Sequence, residues 1–381
     1  MIRPGHYEKS KAISQSDLKL LKTNIQEFYK RCILGEVSDD EKTRKRYFDV
    51  GDLTDVMWLQ PELKKEFYCM ENISLGDKFK LLMDELFKMV IKDCIDHDIP
   101  AISISNNVAD YIEFTKEAAM AAQYYYNPEK PDKPWSRNLE TIQAEVKSLG
   151  SKYFQALVDA NGKIVVNMQD WNTAVKCIEK INTSNNKKVA EIVKYMTDDN
   201  NQDLNAVHIQ LFKAKPLFGE WNSIKVKVLP DLYIVNNIEK WIWPLDLKTV
   251  KSITMFPSNY RAFKYGKQGA FYSSVIKEQP EYAGYTMRNF GFLVVGSNPD
   301  VDDRAEYYEM SAKELHVQLH GMDRADGSRV RGIDDDIEDL EWHIANDEWC
   351  RYPENSINDD VFILETLGAP DVAEVQQEEI F

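Results

Sequence analysis

Two short segments place two acids and a lysine on what the sequence predicts to be neighbouring β-strands. The first, Pro-Asp-Leu-Tyr, contains Asp231, and the second, Leu-Asp-Leu-Lys, contains Asp246 and Lys248. Alternate side chains of a strand share one face, so Asp246 and Lys248 are expected to project together. If the two strands pair through the turn between them, Asp231 and Asp246 converge near the strand ends. The chain is therefore expected to fold around a sheet that brings these charges together.

A change of periodicity marks the extent of this sheet. Polar and apolar residues alternate between about residues 205 and 250, which is typical of strands. The predicted strands are 207–211, 224–228, 232–235 and one that begins at 241. Turn signals at Gly219 and Asn236–Asn237 separate them. This part of the sequence predicts an antiparallel meander, with Lys225 and Lys227 on the same strand as Asp231.

The regions on either side of the meander complete the predicted core. A short apolar helix over about 48–60 contains Gly51 and Asp55, and residues 74–200 are mostly helical in pattern. After the meander, a helix is expected over about 259–276 and an apolar strand over 290–295. The core order is therefore helix, three strands, helix, strand, and residues 74–200 are interpreted as a helical insertion.

Composition excludes several classes of protein. The 381 residues contain no run of eighteen apolar side chains and no apolar segment near the start that is typical of a signal peptide, which favours a cytoplasmic protein without a membrane partner. The five cysteines are scattered and include no Cys-x-x-Cys pair, so neither a disulfide framework nor a zinc site is expected. No phosphate-binding loop of the ATPase type is present, so a helicase is excluded.

The net charge of −16 is concentrated at one end of the chain. Residues 331–381 carry a net charge of −14, while the first 330 residues are nearly neutral. A nearly neutral body can still hold a basic groove locally. The acidic end is interpreted either as a solvated tail or as a segment that occupies that groove. Its last part, residues 369–381, is predicted to be a flexible acidic tail.

The charged residues and their order resemble the PD-(D/E)xK nuclease superfamily. Gln268 and Tyr272, four residues apart, resemble the Gln-x-x-x-Tyr element of its RecB-like branch, which includes phage recombination exonucleases of the RecE and lambda types. The Ser-Gln-Ser-Asp-Leu opening at 14–18 and the Trp-Cys-Arg-Tyr-Pro segment at 349–353 are similar to the first and last elements of those exonucleases. The resemblance implies an α/β fold with a restriction-endonuclease-like core, a mixed central sheet flanked by helices in the order αβββαβ, and a large helical insertion.

The resemblance also implies the roles of individual residues. Mg²⁺, or alternatively Mn²⁺, would be bound at Asp55, Asp231, Asp246 and Leu247. Lys248 would act beside the attacking water or the scissile phosphate, and Gln268 and Tyr272 would be catalytic residues that orient DNA. Many relatives have a histidine where this sequence has Asp55, so the ligand set departs from theirs. The alternative for Asp55 is an ordinary polar helix residue with Asp52 as the helix cap.

Further DNA-binding residues are predicted on two helices. Arg261 and Lys264 are expected to extend the face of Gln268 and Tyr272 on one helix, with two cations, an amide and an aromatic edge for a DNA strand. Ser14 and Ser16 begin another helix, whose free amides and dipole suit a 5′ phosphate. Helix capping alone also accounts for these two serines.

These observations predict a magnesium-dependent DNA exonuclease, acting from 5′ to 3′ on double-stranded DNA in phage-type recombination or replication. An endonuclease of the restriction or junction-cleaving kind and a catalytically inactive DNA-binding module remain the alternatives. The nuclease domain is expected to span 1–368, with its catalytic core at about 204–300 together with the 48–60 helix. By resemblance, the expected partners are DNA, other copies of the chain in a closed homo-oligomeric ring, and a single-strand annealing protein.

Overall fold

The structure is a computed structural model of a mixed α/β protein, with a central mixed sheet covered by helices. It describes Gly5, Tyr7 and residues 10–36, 49–71, 75–100, 103–198, 208–298 and 304–350. The predicted acidic tail at 369–381 and the end of the Trp-Cys-Arg-Tyr-Pro segment lie outside the described residues. No helix in these ranges is long and apolar enough to cross a membrane.

Helices account for most of the described residues. The α-helices are α1 Gln15–Thr23, α2 Ile25–Phe28, α3 Val50–Leu59, α4 Asp77–Asp96, α5 Thr115–Ala121, α6 Leu139–Glu145, α7 Ser151–Ala160, α8 Met168–Asn182, α9 Lys187–Thr197, α10 Phe256–Ala262, α11 Tyr265–Lys277, α12 Ala312–His320 and α13 Ile333–Asn346. Segments Tyr29–Leu34 and Val146–Gly150 are π-helical, and Pro61–Glu66, Val108–Phe114, Ile253–Met255 and Pro280–Tyr282 are 3₁₀-helical.

The strands form one large sheet and three two-stranded pairs. They are β1 Phe67–Met70, β2 Ile164–Asn167, β3 Ile209–Lys213, β4 Leu217–Trp221, β5 Ile224–Val228, β6 Leu232–Asn236, β7 Trp241–Val250, β8 Thr286–Met287, β9 Gly291–Gly296, β10 Ala305–Glu309, β11 Met322–Asp323 and β12 Arg329–Val330. The large sheet has the order β10-β9-β7-β6-β3, and β8 pairs with the start of β7. The pairs outside it are β1 with β2, β4 with β5 and β11 with β12.

The central sheet is mixed, with its parallel pairs at β7. Strand β6 is antiparallel to both β3 and β7, strands β8 and β9 run parallel to β7, and β10 is antiparallel to β9. The parallel pairing of β7 with β9 requires a crossover connection between these strands, and α11 lies within that connection. Around this sheet the chain has the helix, three-strand, helix, strand order expected from the sequence, formed by α3, β3, β6, β7, α11 and β9.

The predicted meander is wrong at β5. This strand pairs with β4, and it also forms a parallel bridge from Val226 to Ile13, so it lies outside the central sheet. Pro230 follows shortly after β5 and has no N–H to donate to a ladder, which separates β5 from β6. Lys227 therefore does not share a strand with Asp231. Its ammonium instead donates to the carbonyl of Ser10 at 2.7 Å.

The predicted helix over 259–276 is two helices. The break lies at Lys264, whose φ of 56° is in the left-handed region that an L-residue rarely adopts. Helix α10 ends before this residue and α11 begins immediately after it. As a consequence, Arg261 lies on α10, and it does not extend the face of α11 that carries Gln268.

The predicted helical insertion is divided between two parts of the fold. Helices α4 to α7 enclose a core of their own, in which Leu82, Leu86 and Phe154 are fully buried. Helices α8 and α9 instead cover one face of the central sheet, where Ile181 and Ile192 pack against its apolar side chains. The short parallel pair β1–β2 was not expected within or beside this segment. The opposite face of the sheet is covered by α1, α11 and α13.

Helix α13 contains much of the acidic run that the sequence suggested to be a solvated tail. Two of its carboxylates are instead buried and paired with cations. Asp336 and Asp339 are 3% and 2% exposed. Asp336 is paired with Lys267 of α11, and Asp339 is paired with Lys22 of α1 and Arg331. This part of the acidic end is therefore an internal, largely neutralised element of the fold.

Replacement of Asp339 by asparagine should destabilise the protein. The variant leaves Lys22 and Arg331 partly buried beside a neutral amide, and removing one partner of a buried ion pair costs about 3 kcal/mol when both groups are desolvated. Because both cations are partly exposed, we expect a smaller loss, on the order of 1–2 kcal/mol in urea unfolding. The matched control is Glu338→Gln, the same charge change at an exposed position of α13. Equal stability of the two variants would contradict this assignment.

The stability of the protein should also depend on the protonation of His343. This side chain is fully buried in α13, and burial lowers its pKa below the ordinary value of 6.5. The unfolded chain then takes up the proton more readily than the folded one, so stability is complete above about pH 6.5 and falls as the pH is lowered. Urea unfolding between pH 7.5 and 5.0 should show a shallower decline for His343→Gln. Parallel pH profiles would exclude His343 as a contributor.

Candidate active site

The pairing of β6 with β7 brings the two acidic segments together. Leu232 lies opposite Leu245, so the register places Asp231 beside Asp246 at the adjoining position. The carboxylate Oδ2 of Asp231 accepts a hydrogen bond of 2.8 Å from the backbone N–H of Leu247. This hydrogen bond holds the Asp231 side chain against the backbone of β7. The predicted convergence of Asp231 and Asp246 is therefore present in the fold.

Asp246 and Lys248 share one face of β7, as the alternation of the strand requires. The ammonium of Lys248 lies 2.5 Å from Asp246 Oδ2, and the side chains are 18% and 1% exposed, respectively. The same ammonium lies 4.8 Å from the ring centroid of Tyr265, the first residue of α11. Lys248 is therefore held between a carboxylate and an aromatic ring at the junction of the sheet with α11.

Helix α11 places Gln268 directly over the sheet. Gln268 Nε2 donates a 2.7 Å hydrogen bond to Asp246 Oδ1. The next residue, Gly269, allows α11 to pack closely against Met310 and Phe290, because a Cβ there would lie 2.5 Å from Met310 Sδ and 3.0 Å from a ring carbon of Phe290. A side chain at this position would have to displace one of these two neighbours of α11.

Tyr272 lies one turn after Gln268 but is largely enclosed by the core. Its ring contacts Phe290 edge-on at 6.4 Å. Burial raises the pKa of Tyr272 above its ordinary value, and the neighbouring Tyr7, Asp246 and Asp231 raise it further. The phenol is therefore neutral and within electrostatic reach of the carboxylates. Its position favours support of the site from within the protein over an exposed edge for DNA.

Asp55 approaches the same site from α3. The helix is capped by Asp49, whose side chain accepts from the N–H of Asp52 at 2.8 Å, so Asp52 is not the cap. Asp55 lies in the helix interior, where burial raises its pKa to about 7, and the charges of Lys248 and Asp246 also act on it. The structure therefore brings Asp55 into electrostatic contact with both strand residues.

The site brings three carboxyl groups, those of Asp55, Asp231 and Asp246, near the ammonium of Lys248, and the pKa of each carboxyl group is raised. Burial raises the pKa of Asp231 well above its ordinary range, and the proximity of Asp246 and Asp55 raises it further. Burial also raises the pKa of Asp246. For Lys248, burial acts to lower the pKa, but the three carboxylates outweigh it and the net shift is upward. Such a cluster favours the entry of an additional cation.

The donor atoms suit a hard divalent ion, although the side chains are not arranged around one. Carboxylate oxygens are the ligands that magnesium and manganese prefer. Within the described ranges, no three His, Cys, Asp or Glu side chains are already disposed as a metal-binding group. Asp246 Oδ2 is close to Lys248 but has no described donor aligned for a hydrogen bond. This oxygen could accept a cation if the ammonium moved away from it.

The other predicted DNA-binding residues lie outside the group of side chains around Asp246. Ser14 caps α1, and its hydroxyl donates to Asp17 Oδ2 at 2.6 Å and lies 2.8 Å from the hydroxyl of Ser16. A carboxylate of the protein therefore already lies at the helix start proposed for a 5′ phosphate. Arg261 and Lys264 are exposed on and just after α10, close in sequence to α11 but not on its Gln268 face.

Two residues near the site were not identified from the sequence. The ring of Tyr265 faces the Lys248 ammonium. Lys267 of α11 forms an ion pair with Asp336 of α13 and donates a hydrogen bond of 3.2 Å to the carbonyl of Gly332. Both flank Gln268 closely in sequence, which is the one signal that could have drawn attention to them. Their partners lie on elements that are distant along the chain, so the contacts could not be predicted.

Comparisons with known proteins give little further information. No family model matches the chain, and no curated protein is similar to it. One solved structure with a distant likeness is that of a protein from Eubacterium rectale named "Putative exonuclease", with 12% sequence identity and a TM-score of 0.42. The alignment covers 98% of this chain and 99% of that one. A likeness this distant carries no argument, and the interpretation of the site depends on the contacts described above.

Replacement of Gly269 by alanine should test the close approach of α11 to the sheet. The added methyl must displace Met310 or Phe290, and such overpacking costs about 1–3 kcal/mol. We expect that loss in urea unfolding. The control is Gly76→Ala at the start of α4, where a Cβ meets nothing within 4 Å. If both variants are equally stable, α11 is not held at the contact distance described.

Proposed function

We propose that this protein is a metal-dependent DNA nuclease of the PD-(D/E)xK type. The observation that carries the proposal is the convergence of Asp231, immediately before β6, with Asp246 and Lys248 of β7, and the hydrogen bond from Gln268 of α11 to Asp246. The order of helices and strands around the sheet is the order implied by the sequence resemblance. Buried carboxylates with one lysine are suited to binding a metal ion against a phosphodiester.

Asp55, Asp231 and Asp246 would hold the ion, together with the main chain at Leu247, whose N–H already orients Asp231. When bound, a magnesium ion would supply charge for the phosphodiester and lower the pKa of a water molecule. Manganese has similar ligand preferences and is the alternative ion. The carboxylates lose part of their mutual repulsion on cation binding, which favours the ionised form of each one.

Lys248 is proposed to act on the phosphate or the attacking water. Its raised pKa keeps the ammonium protonated, so it stabilises negative charge that develops on the phosphate oxygens. Gln268 orients Asp246 through its amide, and Tyr272 supports the turn of α11 that presents this amide. Positioning of charged groups before the reaction removes the cost of arranging them during it.

The finer assignment follows the sequence resemblance. We propose an exonuclease that degrades double-stranded DNA from 5′ to 3′ in phage-type recombination or replication. A closed ring of identical chains would retain the duplex, and a single-strand annealing protein would receive the strand that remains. Arg261 and Lys264 are proposed to contact the DNA backbone, and the bacterial or phage-infected cytoplasm is the proposed location. Because an exonuclease begins at a strand end, the activity is expected to require DNA with free ends.

Digestion of 5′-labelled and 3′-labelled linear duplexes beside a covalently closed circle tests these assignments. We expect the linear duplexes to be degraded with magnesium and not with chelator, while the circle remains intact. Asp246→Asn and Lys248→Ala should reduce the cleavage rate by at least about 100-fold, because the first removes a carboxylate proposed to hold the metal ion and the second removes the positive charge that acts on the phosphate. Lys277→Ala, at an exposed position near the end of α11, is the control with unchanged activity.

The outcomes separate the competing functions. Cleavage of the closed circle would identify an endonuclease, and the label that is released first would give the polarity. Binding to DNA without cleavage by any divalent ion would identify an inactive DNA-binding module. Wild-type cleavage rates in folded Asp246→Asn or Lys248→Ala would show that the assigned site is wrong.

A further inference from the structure

The segment before α11 exposes both apolar and cationic side chains. We call residues 254–264 the basic lip. Met255 and Phe263 are 53% and 51% exposed, and Arg261 and Lys264 are exposed beside them. Isolated exposed apolar residues are common on protein surfaces. Here two of them lie in one short segment together with two cations, immediately before the helix that carries Gln268.

A series of ring contacts supports Phe263 from the protein core. Its ring lies 5.6 Å from that of Tyr265, and Tyr265 stacks on Phe256 at 6.1 Å with an interplanar angle of 21°. Phe256 is 2% exposed and packs against Phe292 of β9. Aromatic pairs in these arrangements add stability beyond the area they bury. Phe263 is therefore the exposed end of a fixed aromatic series.

The same series connects the lip with the candidate active site. Tyr265, which contacts Phe263 on one side, has the Lys248 ammonium 4.8 Å from its ring centroid. Lys248 in turn is paired with Asp246. Phe263 is thus separated from the proposed site of phosphodiester cleavage by a single aromatic side chain. The left-handed backbone at Lys264 turns the chain at this point, so that Phe263 and Lys264 lie at the junction of α10 and α11.

We propose that Phe263 is a stacking platform for a nucleobase of the bound DNA strand. Single-stranded nucleic acid is bound by aromatic rings that stack on its bases and by cations that contact its phosphates. The basic lip presents both, with Phe263 for the base and Arg261 and Lys264 for the flanking phosphates. The inference rests on the proposed nuclease function and extends it: the strand at the site is held with at least one base unpaired from its complement.

Binding of two matched oligonucleotides tests the platform. Fluorescence anisotropy in chelator would measure the affinity of the full chain for a single-stranded DNA and for an abasic oligomer of equal length and charge. Phe263→Ala should weaken binding of the natural DNA by about 5- to 100-fold, the range expected for one stacked base, and leave the abasic oligomer unaffected. Phe263→Trp should retain the affinity, since the larger ring also stacks.

A control variant and the nuclease assay make the outcomes distinct. Ile238→Ala removes an apolar side chain that is 63% exposed, in the turn between β6 and β7, and should bind both oligomers as the wild type does. Equal weakening of both oligomers in Phe263→Ala, or no weakening, would overturn the platform, even if the protein cleaves DNA. Base-dependent binding through Phe263 in a protein that never cleaves DNA would leave the platform intact and reject the nuclease. Failure of the wild type to bind either oligomer would overturn the platform, whereas the nuclease function would still be decided by the digestion of linear duplexes with magnesium.

Discussion

The pairing of β6 with β7 is the constraint on which the candidate site depends. Two carboxylates that would repel each other are held at adjoining register positions by the backbone ladder and by the hydrogen bond from Leu247 N–H to Asp231. The strand ladder supplies the free energy that offsets the repulsion, and Lys248 reduces it further.

Helix α11 connects this pair to the rest of the molecule. On its sheet side Gln268 bonds to Asp246, and Gly269 permits close packing against Phe290. On another side Lys267 is paired with Asp336 of α13. The neighbouring residues 267–269 therefore connect the candidate active site, the core of the sheet and the acidic helix. A displacement of any one of these parts would be transmitted to the amide of Gln268.

Predictions from the sequence were correct where the structure depends on local pattern, and they were wrong where distant parts of the chain meet. Strand alternation was sufficient to place Asp246 and Lys248 on one face, and the turn between β6 and β7 was sufficient to bring Asp231 beside them. The meander failed at β5, whose partners are β4 and Ile13. The single predicted helix failed because no glycine or proline marks the backbone reversal at Lys264. The cations that neutralise α13 come from other elements, which periodicity does not reveal.

The ion pairs of α13 show that the overall charge of the protein does not by itself set the electrostatic potential that a polyanion would meet. A formal charge of −16 suggests strong repulsion of nucleic acid at every approach. Asp336 and Asp339 are matched at close range by Lys22, Lys267 and Arg331, so their fields largely cancel within the fold, and the net negative charge is carried by the other residues of the chain. The potential that an incoming DNA strand meets is then set by the side chains that face solvent around its path. A bulk measure such as the isoelectric point is a poor guide to that local potential.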